Sequence, residues 1–144
     1  MAGIHISAVT AAITLTSATA KTILQLVAAT NQRVVVNGFS VSFAGNSGTA
    51  VPVKVRILRQ TTAGTMSSLT PKALQPITET IQTTAQHTAT AEPTAGDVLR
   101  TFHIHPQTGG FPPFRCEIPG GGRLGMECTA PAGVDVIGEF MAEE

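Results

Sequence analysis

The chain has 144 residues, of which 42% are hydrophobic and 12% charged, with a formal net charge of +0. That length suits one domain, and a chain of about 150 residues buries roughly 68–70% of its unfolded surface. The hydrophobic content excludes wholesale disorder, and the charge balance offers no electrostatic footprint for nucleic acid or an anionic membrane.

Charge at about half of the ~25% usual in soluble domains also lowers the cost of burying surface against other chains. It leaves a free monomer poorly protected from association.

Ala18-Thr19-Ala20 imitates a signal-peptide cleavage site, but no Lys or Arg precedes Lys21 and Thr10, Thr14, Thr16 and Ser17 interrupt the apolar core such a leader needs. The segment reads instead as strand over 4–16, and the chain as soluble, made in a cytoplasm and kept whole. No run approaches the ~18 apolar residues of a spanning helix.

Further strands are predicted near 22–30, 32–44, 51–60, 97–105, 114–118, 123–129 and 133–141. In the third, Val34 and Val36 fall on even positions while Phe39, Val41 and Phe43 fall on odd ones, which predicts a bulge near Asn37-Gly38. Ala44-Gly45-Asn46-Ser47-Gly48 then predicts a hairpin into Val51–Ile57, the cleanest period of two in the chain.

Residues 61–96 form a Thr/Ala/Pro-rich surface excursion in which 78–83 suggests one short strand, the rest ordered by a neighbouring subunit if at all. Cys116–Ile118 and Leu124–Cys128 predict a second hairpin about Gly120-Gly121-Gly122. There the cysteines would not lie directly opposite each other, and buried free thiols are expected. Val134, Val136 and Phe140 complete the core side of the last strand. The expected architecture is all-β: a single-domain antiparallel β-sandwich over 1–144, jelly-roll-like, with one long excursion.

Few residues suggest chemistry. His103 and His105 are two apart, so on a strand their rings share a face and are candidate metal ligands. An HxH pair is similar to that of the cupins, which are jelly rolls. The positions where that pattern needs Glu hold Gly109 and Gly110, its Gly falls one place off at Gly96, and Pro119-Gly120-Gly121 lacks the partnering His. Exposed polar side chains are the plainer expectation, and no metal or other cofactor is expected. Gly120-Gly121-Gly122-Arg123 suggests an anion nest but lacks the strand-to-helix setting of a phosphate loop. Asp97 and Asp135 are the only aspartates, there is no GxSxG elbow, and Trp and Tyr are absent, so catalysis is not expected.

Contact chemistry is better represented. Phe111-Pro112-Pro113-Phe114 follows two glycines and is either a rigid apolar knob or a plug for the end of the core. Lys54, Arg56 and Arg59 concentrate positive charge on one strand, with Arg56 and Arg59 as further interface candidates.

Three stretches, Leu58–Met66, Thr83–Gly96 and Ile118–Gly125, resemble small β-rich virion proteins of tailed bacteriophages and prophages. The resemblance implies a capsid decoration (cement) protein: a jelly-roll or related fold, often a homotrimer, that clamps neighbouring major capsid proteins on the surface of the virion. It carries over no catalytic residue, nucleic acid or membrane. A neck, tail or fibre-tip module that recognises a host surface is the alternative within the virion. A cupin-like metalloenzyme using His103 and His105 is the alternative outside it.

Overall fold

The computed structural model describes residues 3–44 and 51–144, and every regular element among them is a β-strand. In chain order these are β1 His5–Val9, β2 Ile13–Leu15, β3 Ala20–Val27, β4 Val34–Ala44, β5 Val53–Gln60 and β6 Thr65–Leu69, then β7 Lys72–Ala73, β8 Thr84–Ala91, β9 Ala95–Ile104, β10 Cys116–Ile118, β11 Arg123–Thr129 and β12 Val134–Glu143.

They form two antiparallel six-stranded sheets. One runs β10-β4-β12-β1-β7, with β2 beside β1 on the same edge of β12; the other runs β6-β8-β3-β11-β5-β9. With β1 and β2 counted as one interrupted strand and β6, β7 and β8 set aside, eight strands remain. Their orders are first-eighth-third-sixth and second-seventh-fourth-fifth, the connectivity of a jelly roll. The expected all-β sandwich is the fold observed.

Alternation along β4, β5 and β12, with the apolar run of β11, supplies much of the core. Val34, Val36, Phe39 and Val41 of β4 and Val136, Phe140 and Ala142 of β12 are buried with Val53, Val55 and Ile57 of β5 and Leu124, Met126 and Cys128 of β11. Burial of this kind stabilises by about 25 cal/mol per Å² of apolar surface. Gly138 lies tight against the facing sheet: a Cβ there would meet Ile23 Cδ1 at 2.8 Å and Met126 Sδ at 2.9 Å, so a larger residue would force those side chains to move. The bulge predicted in β4 is present: Gly38 lies opposite Met141 and Val36 opposite Ala142, which leaves Asn37 as the extra residue.

Four sequence expectations are corrected. β4 and β5 do not form a hairpin; they lie in different sheets, and residues 45–50 between them fall outside the described residues. Nor do β10 and β11 pair with each other. Their triple glycine is an arch between the sheets, where Gly121 N donates to the Ala28 and Ala29 carbonyls at 3.2 and 3.1 Å and Gly122 O accepts from Ala28 N at 3.1 Å. Arch and hairpin use the same turn residues, so alternation alone does not separate them. Strand 4–16 is broken at Thr10, which takes a second hydrogen bond from Gly138 through its Oγ1 (3.1 Å) beside the backbone bond it donates (2.9 Å).

The fourth correction concerns 61–96, which is not a loose loop. Its β8 and β6 extend one sheet beyond β3, and its β7 extends the other beyond β1. The strand lies at 84–91 rather than 78–83, and the segment is ordered by its own chain.

Candidate interaction surfaces

The flank where β9 and β10 are edge strands holds most of the candidate residues. β9 ends at Ile104, so His103 is its last exposed position, opposite Lys54, and His105 already belongs to the following turn. The His105 carbonyl accepts from Thr108 N and Gly109 N, both at 3.1 Å, and its Nδ1 accepts from Gln107 N at 3.2 Å. The two rings therefore do different things: one faces solvent beside a lysine, the other shapes a turn. Among the described residues no three His, Cys, Asp or Glu side chains are grouped to hold a metal ion.

The turn passes into Gly109, at φ 65°, and Gly110, which bridges Val41 as if to continue the sheet. A Cβ on Gly109 would stand 2.7 Å from Val41 O, so glycine is required by both the backbone angle and the space. Pro112 and Pro113 have no N–H to donate, which interrupts the edge strand until Cys116.

The two phenylalanines on either side of the prolines part company. Phe114 is 9% exposed and meets Phe39 edge-on at 5.6 Å, while Phe102 packs on Phe39 at the same distance with a 52° tilt. Phe114 is thus a plug. Phe111 is 65% exposed, the one exposed phenylalanine among the described residues, and leans towards Gly38 and Met141 at the rim of the sheet. It is a knob. The sequence offered plug and knob as alternatives; each holds for one ring.

The positive strand is less uniform than its sequence. Arg56 Nη2 pairs with Glu127 Oε1 at 2.7 Å, a contact shielded enough to hold both side chains. Arg59 lies on the other parity of β5, close enough to Cys116 of the facing sheet to favour its thiolate against the larger opposing effect of burial. Lys54 alone is exposed on its face. Cys116 and Cys128 are free thiols in different sheets. Burial, with Glu127 adding to it, pushes the Cys128 thiol up to about 12.

Sequence reasoning missed a polar latch on the second sheet. Thr88, at φ 55°, turns β8 away from β3 after His87, so Thr22 N loses the carbonyl that a continued ladder would supply. Glu92 replaces it, accepting from Thr22 N at 3.1 and 3.0 Å and from Thr22 Oγ1 at 2.6 Å. Gln60 Nε2 donates to the same hydroxyl at 3.0 Å, Gln25 Nε2 donates to Gln60 Oε1 at 2.6 Å and to Thr62 O at 3.2 Å, and Arg123 donates to Gln25 Oε1 at 3.0 Å. The Gln60 amide crosses directly over Gly125, where any Cβ would collide with it. Gln25 inside the apolar run Ile23–Val27 was the signal. A buried amide there needs partners.

On the opposite flank the excursion encloses a groove of about 630 Å³ between the β6–β7 link, residues 77–83 and the start of β8. Leu69, Pro71, Ile77 and Ile81 give it an apolar lining and Glu79 stands at it as a charged group. Gln86 also lines it, and its buried Oε1 accepts no hydrogen bond among the described residues. No protein family, curated protein or solved structure matches the chain.

Proposed function

We propose that this chain is a decoration protein of a tailed-phage head, which binds the outer capsid surface and stiffens the shell through protein–protein interfaces, without catalysis. The observation that carries the reading is Phe111, an aromatic ring held 65% exposed on a glycine- and proline-fixed loop while Phe114 serves the core beside it. A pre-positioned aromatic anchor loses little conformational freedom on binding, so it is a contact residue rather than a packing residue. The low charge of the chain supports the same reading, because few ions are stripped of water when such a surface is covered.

A protein that binds only the assembled shell stabilises that shell by mass action, and packing about a symmetry axis adds avidity. Major capsid protein and further copies of this chain are the partners in this reading. The test is removal and return. Heads stripped of the chain should burst at lower temperature and under milder osmotic shock than complete heads, and regain resistance when purified chain is added. Stripped heads as resistant as complete ones would overturn the reading.

A further inference from the structure

The knob and the groove are both largely uncovered among the described residues, and the fold keeps them apart. Phe111 projects at the β10/β4 flank, the groove opens at the β6/β7/β8 flank, and β12 and β1 lie between them in sheet order. We propose that the occupant of the groove is the Phe111 loop of a second copy of this chain, in a head-to-tail assembly.

Chemistry matches at the two surfaces. Phe111 and Pro112 present a stiff apolar tip, and Leu69, Pro71, Ile77 and Ile81 line the groove that receives it. Charge matches too. Arg115 is exposed on the knob's loop and Glu79 is exposed at the groove, and neither takes part in the two ion pairs found among the described residues. Among the described residues Glu79 Oε2 has only the Thr78 backbone N–H, at 3.1 Å, as a donor.

Geometry sets the form of the assembly. A contact between opposite flanks is heterologous, so two copies cannot satisfy both of each other's surfaces, and closure requires three or more. Where the rotation between copies closes, the result is a ring of one fixed mass in which every knob is covered. The proposal takes up the self-association contained in the decoration reading and names its interface. Its test needs no particle, so either can fail without the other.

The experiment is sedimentation equilibrium of the full chain over a wide concentration range, with variants. The wild type should assemble to a single mass of at least three chains. Phe111→Asp should weaken assembly by about thirtyfold or more, as loss of an aromatic anchor does. Since Phe111 is exposed, its thermal melt as a monomer should be unchanged, which separates lost contact from lost fold. Arg115→Glu and Glu79→Arg should each weaken assembly, and the double reversal should recover it. A wild type that remains monomeric, a Phe111→Asp variant that assembles like the wild type, or a double reversal no better than the single ones would overturn the proposal.

Discussion

At Cys128 a buried thiol ties stability to pH. Its side chain is fully enclosed between the sheets, and burial together with neighbouring Glu127 raises the thiol from 9.0 to about 12. Above pH 9 the unfolded chain therefore gives up a proton that the folded chain keeps. The folded state binds more protons, so stability is full below about pH 9 and falls as pH rises towards 12, by about 1.4 kcal/mol per pH unit from this group. Cys128→Ala should be less stable at neutral pH, through the small void it leaves, yet lose less between pH 9 and 11. Urea unfolding at several pH values checks this; parallel curves for the two proteins would contradict it. The burial of Cys128 was readable from strand parity. The different fates of Phe111 and Phe114 were not, because two aromatics flanking two prolines look alike until the sheet shows which one meets Phe39.

Among the elements, the latch explains how an excursion poor in large apolar residues stays ordered. Its strands bury little, so side-chain hydrogen bonds at its two roots do the holding: Thr62 and Glu92 are tied to Gln25 and Thr22. Thr22→Val preserves shape and strand preference but removes the hydroxyl shared by Gln60 and Glu92. A buried amide left short of a partner costs about 1–3 kcal/mol. The unfolding midpoint should fall accordingly, and amide exchange should quicken over 61–94 while β4 and β12 keep their protection. Unchanged exchange in that segment would remove the latch from the account.

The strands themselves were largely legible, since alternation marks each half-buried run and the parity switch located the Asn37 bulge. Their partners were not. A Gly-rich connection reads as a tight hairpin whether the next strand returns beside the last or crosses to the facing sheet, and only closure of the jelly roll decides it. The Thr-rich excursion was underestimated because β6 and β8 have little apolar alternation to show.

As a whole molecule, the chain is a jelly roll with one flank built up by an insertion and the other left with a single aromatic knob. The knob stands outside the core and the excursion adds only a few small or partly buried residues to it, and no three His, Cys, Asp or Glu side chains are grouped to hold a metal ion among the described residues. Both features suit a protein that works by being covered, and sparse charge lowers the cost of covering it. Such a role requires abundance. A decoration protein must be present many times on each head, whereas a neck or tail module occurs in a few copies. Quantitative mass spectrometry of purified particles from the source, comparing this chain with the major capsid protein, measures that ratio. Copy numbers of the same order are expected; a handful of copies per particle, or none, would contradict the decoration reading.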